Sequence, residues 1–187
     1  MRLILASASP RRQALLGQIG LTAACVPAEI DETPLRAELP RPLALRLARA
    51  KAVAAACPDA FVLAADTVVA CGRRILPKAE TEAVARSCLR LLSGRRHQVY
   101  TAVVVLAPSG RSAERVVTSR VGFARLTEAE IKAYVAGGEW EGKAGGYAIQ
   151  GRAGAFVRFL SGSYSNVVGL PLYETASLLR GLGYPLP

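Results

Sequence analysis

The order of hydrophobic patterns predicts an α/β fold in which a mixed, twisted sheet is flanked by helices. Three observations carry that reading. Short apolar runs of strand length alternate with longer segments of helical period, the signature of strands layered against helices. Two strand-like segments, residues 99–106 and 115–124, follow each other without a helix between them, which brings antiparallel pairing into the sheet. No repeat, linker or low-complexity tract interrupts the 187 residues, so residues 1–187 read as one domain.

Residues 2–6 read as a short buried strand. Ser9-Pro10 then opens a helix carrying Leu15, Leu16 and Ile19, with Ser9 at the N-cap, Pro10 at the first helical position and Gly20 closing it. A second strand is expected at 22–27, followed by an acidic loop from Glu29 to Glu32. Residues 40–57 form an Ala- and Leu-rich helix, 61–70 a buried strand and 80–92 another helix. After the two strands near 99–124, Thr127 opens a helix to Ala136 with a capping box to Glu130. A Gly-rich loop spans 137–154, a strand 155–160, and a final helix 170–182.

The chain has 24 Lys+Arg against 14 Asp+Glu and is 51% hydrophobic. High charge without low hydrophobicity excludes intrinsic disorder. The surplus is uneven, +3 over residues 1–60, +7 over 61–125 and zero beyond, and only four of the cations are Lys. Such a balance points to a polyanionic partner: nucleic acid, an acidic membrane or a phosphorylated small molecule. The apolar start Leu3-Ile4-Leu5-Ala6 is too short for a signal peptide, and no run reaches a membrane span. Cys25, Cys57, Cys71 and Cys88 have neither CxxC nor metal-site spacing, so they read as reduced thiols of a cytoplasmic protein.

Several residues break local rules. Arg11 and Arg12 sit in the first turn of a helix, where cations are disfavoured, after a strand and a turn bearing Ser7 and Ser9. A helix N-terminus with two guanidinium groups is suited to phosphates. Asp66 interrupts an apolar strand, so its carboxylate needs a cation, a metal or a polar cleft, and Thr67 adds a hydroxyl beside it. Glu29, Asp31 and Glu32 offer hard oxygen ligands of the kind Mg²⁺ and Mn²⁺ use. Lys51 ends the apolar row Leu43, Leu47, Lys51, and Lys78 lies in the turn before a helix. Gly137-Gly-Glu-Trp-Glu-Gly-Lys143 matches the first seven positions of a P-loop, but Ala144 stands where Ser or Thr is required and the segment follows a helix. Its glycines instead let a loop approach a ligand, with Tyr147 for stacking and Gln150 for bonding a base edge. His97, the only histidine, reads as structural because nothing resembling a nucleophile elbow accompanies it.

Most of these residues fall within motifs that resemble the Maf family of nucleoside triphosphate pyrophosphatases. They are Ala6-Ser-Ala-Ser-Pro-Arg-Arg12, Leu47-Ala-Arg-Ala-Lys51, Ala65-Asp-Thr67, Leu76-Pro-Lys78, His97-Gln-Val-Tyr-Thr-Ala102, Gly142-Lys-Ala-Gly-Gly-Tyr-Ala-Ile-Gln-Gly151 and Gly162-Ser-Tyr-Ser-Asn-Val-Val-Gly-Leu-Pro-Leu172. The resemblance implies a Maf/ITPase-like fold with an active-site cleft between two lobes. It also implies hydrolysis of a nucleoside triphosphate to monophosphate and pyrophosphate with a divalent metal (Mg²⁺, Mn²⁺ or Co²⁺). By analogy Asp66 is the catalytic base and Glu32 a metal carboxylate, while Ser7, Arg12, Lys51 and Lys78 hold the triphosphate. Arg11, Thr67 and Gln150 resemble the specificity positions of the branch acting on dTTP and UTP, with modified pyrimidine nucleotides as further substrates. A homodimer is the assembly the family implies. In this chain Leu76-Pro-Lys-Ala79 stands where Leu-Gly-Lys-Pro is more usual, and Glu139-Trp140 where Glu-Pro is common.

Two other readings stay open at this point. One is a nucleic-acid-binding module using the basic middle third, against which stand few aromatics and no stacking platform. The other is a family member of weak activity that acts in cell division through a partner.

Overall fold

In the computed structural model, which describes residues 1–187, the chain opens with β1 (Leu3–Leu5), α1 (Pro10–Gln18), β2 (Ala24–Cys25) and α2 (Pro40–Ala54). It continues through β3 (Phe61–Cys71), β4 (Arg74–Leu76), β5 (Lys78–Ala79), α3 (Glu82–Leu92), β6 (Arg96–Leu106) and β7 (Ser112–Phe123). The last third holds α4 (Glu128–Ala136), β8 (Lys143–Ala144), a 3-10 turn (Arg152–Phe156), β9 (Val157–Ser161), α5 (Tyr164–Val168) and α6 (Leu172–Gly181).

A seven-stranded sheet runs in the order β2-β1-β3-β6-β7-β9, with β4 paired to the far part of β3. The β1–β2 and β1–β3 pairs are parallel and the rest antiparallel, which is the mixed α/β sheet expected from the sequence. Side chains on a strand alternate between faces. Ile4, Val62, Ala64, Val68, Ala102 and Val104 form one apolar layer with Leu43, Leu47 and the alanines of α2. Leu3, Leu5, Leu63, Ala65, Val69 and Val103 face a larger core with Leu15 and Leu16 of α1, Leu89 and Leu92 of α3, and Ile131 and Tyr134 of α4. Alanines at 44, 48, 52, 64 and 102, all without exposed surface, let α2 lie close on the sheet. No helix is long and apolar enough to cross a membrane.

Long elements sit close to their expected places, and the differences have local causes. The capping box of α4 is complete: Glu130 N–H donates to Thr127 Oγ1 at 3.2 Å and Thr127 N–H to Glu130 Oε2 at 2.7 Å. Ser9 occupies the N-cap of α1 but its side chain makes no capping bond. Helix α3 starts two residues later than expected because Thr81 supplies the cap, accepting from Val84 N–H at 3.3 Å. Strand β6 begins at Arg96 because Arg96 to Gln98 pair with Gly122 to Arg120 of β7. Residues 155 and 156, expected in the last strand, belong to the 3-10 turn, and α6 starts at Leu172 after Pro171. Strands β4, β5 and β8 and helix α5 were not foreseen. Two to five residues are too few to display a period, and such strands exist only through their partners. All four cysteines are free.

Candidate active site

Strand β3 is longer than its neighbour β1, and that mismatch creates the site. Beyond Leu63, paired with Leu5 of β1, the edge of β3 has no strand partner until Val69 meets Leu76 of β4. Asp66 and Thr67 lie in that gap. A cleft of about 420 Å³ opens there, between the β1–α1 turn and the Gly142 to Gln150 segment.

Its lining includes the nine residues to which the family resemblance gives a role: Ser7, Arg11, Arg12, Glu32, Lys51, Asp66, Thr67, Lys78 and Gln150. Alternation along β3 directs Asp66 toward α2, where Lys51 Nζ donates to Asp66 Oδ1 at 2.6 Å. Both side chains are nearly buried, with 9% and 6% of their surface exposed. Lys51 also pairs with Glu32 Oε1 at 2.6 Å, and Glu32 Oε2 accepts from Lys78 Nζ. Partial burial would raise the Glu32 pKa, but the two ammonium groups outweigh it and hold the carboxyl down to about 2. The loop carrying Glu32 is anchored by Arg46, which bonds Glu38 and the Thr33 carbonyl. Of the acidic cluster only Glu32 enters the cleft. Glu29 and Asp31 are exposed, and Asp31 accepts the Thr33 N–H in a turn.

Thr67 points to the opposite face and meets Arg12. The Arg12 guanidinium donates through Nη2 to Thr67 Oγ1 at 3.3 Å, through Nη1 to Ser7 Oγ at 3.1 Å and through Nε to the Gly169 carbonyl at 2.9 Å. Thr67 is braced in turn by Thr101 at 3.0 Å, and Thr101 by the Asn166 carbonyl at 2.9 Å. Burial lowers the Arg12 pKa, and the nearby Asp66 charge opposes that shift. Arg11 is also lowered, by burial. Gln150 is exposed at the rim.

One expectation fails. Tyr147 is not a free stacking surface: its ring is buried against His97 and Phe123, and its hydroxyl shares a hydrogen bond of 2.7 Å with His97 Nε2. Burial pushes the Tyr147 pKa upward and lowers that of His97 to about 4. His97 is therefore structural, as expected, and it anchors the loop that ends in Gln150. That loop lies close on its neighbours because Gly145 and Gly146 have φ of +72° and +68°, where a Cβ would stand 3.0 Å from Val69 Cγ1 and 3.2 Å from Ala85 Cα.

Lys143, the last residue of the failed P-loop match, also lines the cleft. With it the lining holds five cations (Arg11, Arg12, Lys51, Lys78 and Lys143) and two carboxylates (Glu32 and Asp66). From the basic middle third only Lys78 contributes a cation. Arg86 and Arg90 there are engaged by Glu82 and Glu128, and Arg96 lies over the Phe159 ring.

A mixed α/β sheet whose broken edge gathers a surplus of positive charge around a sheltered carboxylate defines an enzyme-like cleft for a polyanionic ligand. The family model described as Maf-like protein matches residues 2–182, and the chain belongs to the Maf family. A dTTP/UTP pyrophosphatase of Caulobacter vibrioides is 64% identical over 185 residues, covering 97% of this chain and 96% of its own length. Proteins of the same description from Paramagnetospirillum magneticum and Maricaulis maris are each 64% identical, over 97% and 99% of this chain and 97% and 90% of their own lengths.

Proposed function

We propose that the protein hydrolyses nucleoside triphosphates, dTTP and UTP foremost, to the nucleoside monophosphate and pyrophosphate. The observation that carries this reading is the charge balance of the cleft, five cations against two carboxylates, with the sheltered Asp66 among them. A triphosphate supplies the missing negative charge. The naming of relatives 64% identical to this chain supports the pyrimidine preference.

In this reading Asp66 accepts a proton from a water that attacks the α-phosphorus. The bond to the bridging oxygen breaks, and pyrophosphate leaves with the bonding electrons. Lys51, Lys78, Arg12 and Ser7 hold the phosphates, so charge developing on the leaving group meets preorganised donors. Lys51 and Lys78 are occupied by carboxylates in the free protein, and exchanging them for phosphoryl oxygens on binding keeps both ammonium groups partnered. Arg11, Thr67 and Gln150 act in selecting the nucleotide. The amide of Gln150 can pair with a ring carbonyl and ring N–H together, which uracil and thymine both present.

Glu32 fits a divalent cation of the Mg²⁺, Mn²⁺ or Co²⁺ class, because its carboxylate enters the cleft and such ions are commonly held by one or two carboxylates plus substrate phosphates. When bound, the ion would supply charge neutralisation at the phosphates. The assembly proposed is a homodimer, which light scattering would report as twice 19.7 kDa.

The deciding experiment incubates the protein with a panel of nucleoside triphosphates and Mg²⁺, Mn²⁺ or Co²⁺, with chelator controls. Expected products are monophosphate and pyrophosphate in equal amounts, with dTTP and UTP preferred and chelator abolishing turnover. Release of inorganic phosphate alone, or no turnover, overturns the reading. Tight nucleic-acid binding with a steep salt dependence and no hydrolysis would favour the binding-module alternative.

A further inference from the structure

The P-loop-like segment ends on a cation that none of the roles above employs. Gly137 closes α4, and Glu139, which would repel a phosphate in a true P-loop, turns away so that its Oε2 accepts the Arg152 N–H at 2.8 Å. The chain then enters β8, where Lys143 pairs with Ala79 and Ala144 with Lys78 of β5. Gly142 N–H donates to the Ala79 carbonyl at 2.8 Å and Gly145 N–H to the Pro77 carbonyl at 3.0 Å. The backbone around Lys143 is therefore fixed to the strand that carries Lys78, on both sides of the residue.

Its side chain is half-buried in the cleft and donates to the Glu141 carbonyl at 2.9 Å. The five cations divide accordingly. Lys51 and Lys78 are in ion pairs with carboxylates, whereas Arg11, Arg12 and Lys143 are in none. Arg12 spends its donors on Ser7, Thr67 and Gly169, which leaves Arg11 and Lys143 as like charges held in no ion pair. Burial first, and then the charge of Arg11, lower the Lys143 pKa against smaller opposing contributions from Glu139 and Glu141, and an anionic ligand between the two cations would relieve that cost.

We propose that Lys143 binds phosphoryl oxygens of the substrate from the β8 side of the cleft. The proposal rests on the triphosphate reading above. In this arrangement Lys78, opposite Ala144, and Lys143, opposite Ala79, leave opposite faces of the β5–β8 ladder, and both line the cleft.

The test compares wild type, Lys143→Met and Lys143→Arg in UTP hydrolysis over a series of KCl concentrations, and titrates inorganic pyrophosphate into each by calorimetry. Loss of one charge-assisted contact predicts a KM raised about tenfold in Lys143→Met, with kcat changed less. The salt dependence of KM should become shallower and pyrophosphate should bind more weakly by a similar factor. Lys143→Arg should retain most of the binding. An unchanged KM, salt slope and pyrophosphate affinity in Lys143→Met overturns the proposal while wild-type turnover upholds the function. If wild type hydrolyses no triphosphate, the function reading falls, and the pyrophosphate titration alone decides for or against Lys143.

Discussion

Asp66 and Thr67 are adjacent in β3, yet they serve the cleft from opposite faces of the sheet. Asp66 meets Lys51 of α2 at 2.6 Å, and Thr67 meets Arg12 of α1 at 3.3 Å. One strand thereby joins the helix layers on its two sides, and the gap between β1 and β4 opens both faces to the same ligand.

Replacing Asp66 with Asn should lower turnover by about 10²- to 10⁴-fold, the span usual for loss of a positioned general base. Lys51 keeps Glu32 as a partner, so the fold should persist. Steady-state rates together with thermal unfolding check this, and near-normal turnover would remove Asp66 from the role.

Lys51→Met should damage stability as well as activity. It strands the Asp66 carboxylate, 4% exposed, without its cation, and breaking a buried pair from one side costs about 3–5 kcal/mol. Adding Asp66→Asn to Lys51→Met should recover much of that loss in urea unfolding without restoring turnover.

Gln150→Glu should discriminate among bases. A carboxylate cannot donate to a ring carbonyl, so KM for dTTP and UTP should rise about tenfold or more, since an unmatched acceptor costs more than a missing contact. Because Gln150 is exposed, stability should not change. Parallel kinetics with purine triphosphates provide the comparison, and an equal effect on every base would refute the assignment.

Stability should fall on acidification in two successive windows that overlap between about pH 4.5 and 4. His97 is held neutral by burial, with its pKa lowered from 6.5 to about 4. The unfolded chain takes up a proton that the folded one refuses, so the stability His97 contributes is complete above pH 6.5 and lost as pH falls through 4. The loss is about 3 kcal/mol at most. Glu32, lowered from 4.5 to about 2, contributes fully above pH 4.5 and loses its share below that, toward pH 2. Urea unfolding from pH 7 to 3 should show both slopes, and His97→Gln should flatten only the upper one.

The long elements and the candidate residues were legible because their causes are local. Apolar period marked α2 and β3, Thr127 and Glu130 marked the start of α4, and Asp66 was visible as a charge no buried strand tolerates alone. Lys143 carried no legible role because its P-loop pattern fails and its motif from Gly142 to Gly151 points to Gln150 instead, while its place in the cleft depends on β8. Tyr147 was misjudged because burial by Phe123 and His97 comes from residues 24 and 50 positions away in the chain.

The sequence by itself determined an α/β fold, a surplus of positive charge and the residues that needed a polar partner, all properties that the chain's chemistry and short-range spacing carry. Only the tertiary structure decided who those partners are. Lys51 is satisfied by Asp66 and Glu32, Arg12 by Ser7, Thr67 and Gly169, and Lys143 by no carboxylate at all. Those choices follow from the unequal lengths of β1 and β3 and from the pairing of β5 with β8. Strand partnership is a contact between distant segments, and no local pattern encodes it.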